Sequence, residues 1–268
     1  MTALAPARPA TRRALLRLHR PALLVWTAFV LLAAGELLWV HYSAAPQERT
    51  CARHWCAYTT FADADSVMRL LGEALCYAPC AVAAWAGAAL IGRELESGTA
   101  RLVWTQAVTP VHWLTAKLTA AALPLLAGAS ALALVFDSVW SADQDVLAAH
   151  WTWDRVFVPR GPLLPALVLF GLAAGALAGL ALRRALPALA VACAACVALR
   201  LYLRDLWQPL RGPLTGFWPL HLAATGTVLA LTAAATVAAY AVLRRRTGVL
   251  APGIPFEPLP AIPHVMSP

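Results

Sequence analysis

Six apolar windows, 22–42, 70–92, 116–136, 163–182, 185–203 and 220–242, take up most of this 268-residue chain. Each is close to the ~20 residues that a helix needs to cross a ~30 Å hydrocarbon core. Lipid offers no water to the backbone, so a span must satisfy its N–H and C=O groups within its own segment, and a helix does that. Composition agrees. Hydrophobic residues make up 61% of the chain and charged residues 13%, where a soluble domain carries about 25% charged residues. The expected fold is an all-α integral membrane protein, one membrane domain over residues 1–268 with six transmembrane helices. The fifth window is the weakest, because Arg200 interrupts it, and its guanidinium is expected to snorkel to the interface.

Basic residues set the orientation. With the N-terminus inside, the cytoplasmic side holds Arg8, Arg12, Arg13, Arg17, Arg20, Arg93, Arg101, Lys117, Arg183, Arg184 and Arg244 to Arg246, opposed only by Glu94, Glu96 and Glu257. The outer arginines are matched by Glu48, Asp63, Asp65, Asp137, Asp143, Asp145, Asp154 and Asp205. The net charge of +8 is thus a property of the inner face, which reads as topology and argues against nucleic-acid binding. The first window continues through Leu37, Leu38, Trp39 and Val40, longer than the 7–15 apolar residues of a signal peptide, so a retained span is expected with both termini cytoplasmic.

The remaining segments are short. Residues 1–11, rich in Ala and Pro, read as disordered, and 12–20 (RRALLRLHR) as an interfacial helix on the inner leaflet. Outer loops at about 43–69 and 137–162 carry Trp55, Trp140, Trp151 and Trp153, suited to the headgroup layer. The tail over 247–268 is Pro-rich. Cys51 and Cys56 fall in the first outer loop, where a local disulfide is open. Cys76 with Cys80, and Cys193 with Cys196, lie one turn apart inside apolar helices and read as small packing residues. Gly171, Gly175 and Gly179 form a small-residue ridge, serving bundle packing or a dimer or sliding interface.

One polar and aromatic island interrupts the apolar runs, from Arg93 to Lys117 (RELESGTARLVWTQAVTPVHWLTAK). The second span runs past the membrane edge through Glu94 and Glu96 to Gly98, a residue suited to a helix C-terminus. Thr109-Pro110 then reads as N-cap followed by Pro at the first helical position. Between them, Thr99 to Ala107 has room for about two helical turns, a short helix lying across the cytoplasmic mouth. Trp113 and Lys117 are placed to anchor the next helix at the inner interface.

Glu96-Ser97-Gly98-Thr99, Arg101-Leu102-Val103-Trp104-Thr105-Gln106, Val108-Thr109 and Trp113-Leu114 with Lys117 together resemble the first cytoplasmic loop of type-2 ABC exporter permeases, in particular an actinobacterial branch tied to multidrug and antibiotic efflux. The resemblance extends to Arg183-Arg184-Ala185-Leu186-Pro187 and to Phe217-Trp218-Pro219. It implies a permease subunit of a bacterial cytoplasmic membrane, forming a homodimer or heterodimer of permeases and pairing with a separate ATP-binding subunit. That subunit would hold ATP and Mg, and this chain would bind no cofactor. The island would be the coupling helix, with Glu94, Glu96 and Arg101 as charged contacts and Leu102, Val103 and Trp104 as the apolar anchor, alongside Gly98, Thr99, Gln106, Trp113 and Lys117. The chain departs from the pattern at Pro110, where relatives carry a basic residue. It departs again in the short segment 203–219, where relatives place re-entrant helices that gate the exit.

Catalytic motifs are lacking. Lys117 is the only lysine and no glycine-rich strand-to-helix loop precedes it, so the chain carries no P-loop. There is no HExxH, and Ser130 has no intramembrane histidine to activate it. The reading is a non-enzymatic transport subunit. Two alternatives stay open: a proton-coupled carrier using Glu36 and Glu73, the ionisable residues nearest the bilayer, or an accessory or immunity membrane protein.

Overall fold

The structure is a computed structural model that describes residues 9–54, 64–100, 104, 109–147, 150–210 and 216–248, with 9–21, 52–54, 206–208 and 248 described in backbone only. The described residues are mostly helical, without strands. In chain order the helices are α1 (Pro9–Trp39), continued by a π-helical turn over Val40–Ala44, then α2 (Ala45–His54), α3 (Ala64–Glu96), α4 (Pro110–Ala142), α5 (Asp154–Phe157), α6 (Leu163–Leu182), α7 (Ala185–Trp207) and α8 (Phe217–Gly248). Six of them, α1, α3, α4, α6, α7 and α8, are long and apolar enough to span a membrane. At 33 residues each, α3 and α4 reach about 50 Å and so project beyond the hydrocarbon layer. α1 is continuous through Pro21, with residues 12–20 as its early turns.

Helix α6 is the axis of the bundle. It packs against α3, α8, α7 and α4, and 78% of its most apolar stretch is buried, against 17% for α8. Its sequence explains why. Gly171, Gly175 and Gly179 recur on one face, and without side chains there the backbones of α6 and α3 come into direct contact. A Cβ on Gly171 would lie 2.5 Å from the carbonyl oxygen of Cys80, and one on Gly179 would lie 3.2 Å from the Gly92 nitrogen. A Cβ on Gly175 would collide with the carbonyl of Ala84. The interlock is mutual, since Gly87 of α3 faces the Leu172 carbonyl in the same way. The glycine ridge therefore serves packing within the chain, and Cys80 and Cys196 are buried beside it as small residues.

The outer helices attach by larger residues. Trp26 of α1, 3% exposed, inserts beside Gly128 and donates its indole N–H to the carbonyl of Pro124 at 3.0 Å. Leu37, Leu125, Leu132 and Phe136 continue that α1–α4 seam.

Replacing Gly175 by Leu is expected to cost about 3 kcal/mol through overpacking of the α3–α6 contact. The same change at Gly226, whose Cβ position is open, is expected to stay within about 0.5 kcal/mol. Thermal stability of the two variants in detergent checks this.

Candidate functional site

Basic residues collect at one end of the bundle, where α3 ends, α4 begins, α6 turns into α7 and α8 finishes. Arg93, Arg183, Arg184, Arg244 and Arg245 are exposed there. Helix α3 closes with the Ser97 N–H donating to the Arg93 carbonyl at 2.9 Å, followed by Gly98 at φ +73°. The space around Gly98 is empty, so its requirement is conformational: an L side chain resists that left-handed backbone. The hydroxyls of Ser97 and Thr99 share a hydrogen bond at 2.9 Å and both reach the Glu94 carbonyl at 3.4 Å. Thr99, Ala100 and Trp104 have helical backbone. Arg101, Leu102, Val103 and Gln106 lie outside the described residues. Helix α4 then starts with Thr109 as N-cap, its hydroxyl accepting from the His112 N–H at 3.3 Å, and Pro110 as the first helical residue.

A clasp joins the two helices that flank this segment. Trp113 and Lys117 stand four residues apart on one face of α4, and both turn toward the end of α3. The Glu94 carboxylate accepts from the Trp113 indole at 3.2 Å through one oxygen and from the Lys117 ammonium through the other. The ammonium also lies over the Trp113 ring, 5.2 Å from its centre. Lys117 and Trp113 are each 5% exposed, so both side chains are internal to the joint. Trp104 meets Trp113 edge-on, with centroids 5.7 Å apart. Leu90, Ile91, Leu114, Leu180 and Leu243 close the apolar layer beneath.

Two further ties bring in the rest of the bundle. Glu96 accepts from the backbone N–H of Ala185 at 3.3 Å, satisfying an otherwise open donor at the start of α7. The turn before it depends on Arg183, which ends α6 in the left-handed conformation at φ 56° with its N–H bonded to the Gly179 carbonyl. Arg246 of α8 donates to the carbonyls of Leu180 and Ala181 at 2.5 and 2.8 Å, closing the C-terminus of α6. Thr115 and Tyr240 link α4 to α8 at 2.7 Å. Among these ties lies a cavity of about 360 Å³, lined by Glu96, Gly98, Trp104, Arg183, Leu243 and Arg246. The Trp104 indole nitrogen is buried with no hydrogen-bond partner among the described residues.

The opposite end is acidic and aromatic. Asp143, fully buried, accepts from Arg49 at 2.8 Å and pairs with His41 at 2.8 Å, which fixes the π-helical turn and α2 against the end of α4. The same arginine grips Asp145 through two nitrogens, which holds that carboxyl down at about 2. His221, fully buried, accepts from the Leu163 N–H at 3.2 Å and so caps the start of α6. Phe157 meets its ring edge to face and Phe217 stacks on it, Trp151 packs edge-on against Phe217, and Arg160 lies over Trp140 and Phe217. This aromatic lid, built from the segment before α6 and the start of α8, stands at the end where segment 203–219 is short.

Other residues singled out in the sequence fall apart from the basic-end joint. Glu36 and Glu73 are exposed on the surfaces of α1 and α3, and among the described residues neither forms an ion pair. Arg200 does not snorkel. It is 1% exposed and pairs with Asp154 of α5 at 3.2 Å. Cys51 lies in α2, and Cys56 is outside the described residues. Sequence reasoning missed the Arg246 cap, the Glu96 contact with α7 and the His221 cap.

Replacing Lys117 by Met is expected to cost about 3–5 kcal/mol, because it strands the Glu94 carboxylate in a largely buried site. Neutralising both in Glu94→Gln/Lys117→Met is expected to recover much of that loss, as read from thermal unfolding in detergent.

No curated protein and no solved structure shows significant similarity to the chain. The family model described as ABC-2 membrane transporter related matches residues 21–207, a stretch from within α1 to the end of α7 that includes the Glu94–Trp113–Lys117 clasp, and the chain belongs to that family of multi-pass membrane transport subunits.

Proposed function

We propose that this chain is the permease of an ATP-driven exporter, oriented with its basic end in the cytoplasm, and that the segment between α3 and α4 is where a separate ATP-binding subunit engages it. Family membership implies pairing with such a subunit, and the basic residues at one end suit the cytoplasmic face. The observation that carries the reading is the clasp of Glu94, Trp113 and Lys117, with Trp104 resting on it. A force applied to residues 99–108 then moves α3 and α4 as one body, because two charge-assisted contacts and an edge-to-face pair of indoles resist their separation.

This assigns different work to the residues of the island. Glu94 and Glu96 have carboxylate oxygens committed within the chain, so they act as struts, the first holding α4 and the second the start of α7. Arg101, Leu102, Val103 and Gln106 supply the contact with the ATPase, and Gly98 and Thr99 set the direction in which that contact leaves α3. ATP and Mg belong to the partner. Rigid-body tilt of the braced helices would alternate access for a lipophilic or amphipathic substrate of the efflux class, in a dimer of permeases in a bacterial cytoplasmic membrane.

Two variants separate docking from transmission. Leu102→Asp is expected to insert normally and to lose co-purification with the ATPase. Glu94→Gln is expected to keep the ATPase bound while ATP-driven export falls about tenfold, the loss expected when a charge-assisted contact of about 1.5–3 kcal/mol is removed. Full export by Glu94→Gln overturns the transmission role. Transport that continues without the ATPase and collapses with the proton gradient overturns the exporter reading.

A further inference from the structure

Arg200 is the largest fully buried side chain in the described residues, and it lies within the apolar span Ala185–Asp205. A guanidinium carries five N–H donors and a permanent charge. Here its Nη2 donates to Asp154 at 3.2 Å, while Nε and Nη1 are buried with no hydrogen-bond partner among the described residues. A buried donor left unpaired is costly, more so when charged, and the desolvation of a buried ion pair can exceed its Coulombic gain. One long contact to Asp154 does not account for burying this group. An acceptor that completes it does.

The surroundings indicate what kind of acceptor. Arg200 lies one turn inside Arg204 and Asp205, at the polar end of α7, and level with α5, which supplies Asp154. Tryptophans 140, 151 and 153 belong to that same end, with the Arg155 guanidinium stacked 4.1 Å over Trp153. These are marks of the headgroup–acyl boundary of a bilayer. On the lipid side, Arg200 is covered by Tyr77, whose ring centre is 5.4 Å from the guanidinium carbon and which is 38% exposed. Val197, Leu201 and Tyr202 extend an exposed apolar surface beside it. A rotamer change at Tyr77, an exposed side chain for which such motion is fast, opens the buried donors toward a molecule whose tail lies along that surface.

We propose that Arg200, covered by Tyr77 where α3 packs on α7, binds the phosphate or carboxylate head of an anionic amphiphile. Planar guanidinium donors match both head groups. The occupant is either a bound anionic lipid or the transported cargo. Asp154 is then a competitor as well as a partner, because it holds one edge of the same guanidinium.

Native mass spectrometry of the purified full-length chain tests the site, with dioleoyl phosphatidylglycerol and dioleoyl phosphatidylcholine as probes. Wild type is expected to bind its first phosphatidylglycerol about tenfold more tightly than phosphatidylcholine, a difference of about 1.4 kcal/mol. Arg200→Gln is expected to abolish that preference, Arg204→Gln to leave it, and Asp154→Asn to strengthen it. Equal binding of the two lipids by wild type overturns the proposal without recourse to any variant, and so does an unchanged preference in a folded Arg200→Gln chain. A second arm identifies the occupant and alone rests on the exporter reading: the ATPase activity of the reconstituted pair is measured with added oleate. Saturable stimulation that Arg200→Gln removes supports the site with cargo in it, and selective lipid binding without stimulation supports it with a resident lipid.

Discussion

Direct contact between the backbones of α3 and α6 fixes everything else in this bundle. With glycine at 171, 175 and 179 on one helix and at 87 and 92 on the other, the two axes approach until carbonyl and nitrogen atoms replace side chains in the contact. In lipid this packing is the available source of attraction, since apolar side chains gain little by leaving one apolar medium for another. Close approach then dictates position. The C-terminal end of α3 is carried next to the α6–α7 turn, which is how Glu96 comes within reach of the Ala185 N–H. At the far end the N-terminal part of α3 passes under α5, with Gly72 admitting the backbone of Arg155.

Several polar residues among those described complete helix ends. Thr109 opens α4, His221 opens α6, Glu96 opens α7, and Arg246 closes α6. Such contacts matter more at a membrane edge than in water, because the open donors and acceptors of a helix end compete for scarce solvent. They also make each end of the bundle a network, so the basic end joins five helices, α3, α4, α6, α7 and α8, through a handful of side chains. A segment seated in that network is mechanically connected to most of the spans.

The part of this legible in sequence was local. Apolar windows of about 20 residues identify the spans because thickness of the hydrocarbon layer sets their length. Gly98 and Thr109-Pro110 mark their helix ends because the backbone geometry of a stop and a start is encoded within a few residues. What escaped was tertiary. Glu94 and Lys117 are 23 positions apart, Glu96 and Ala185 are 89 apart, and Arg246 and Leu180 are 66 apart, with no periodicity linking them. The glycine ridge was visible as a place for close packing, while its partner, a helix of the same chain, was not. Arg200 looked like an interfacial residue because hydropathy along α7 carries no information about α5, the four-residue helix that brings Asp154 over it.

The central claim is that α3 and α4 move as one body when the ATPase closes. Pulsed electron spin resonance on the reconstituted complex, with nitroxide labels at exposed Arg93 and Val111 in a background free of other reactive cysteines, measures it most directly. The α3–α4 distance within one permease is expected to stay fixed on ATP binding, while the distance between Arg93 labels of the two permeases shifts. A change in the Arg93–Val111 distance on ATP binding would contradict the account.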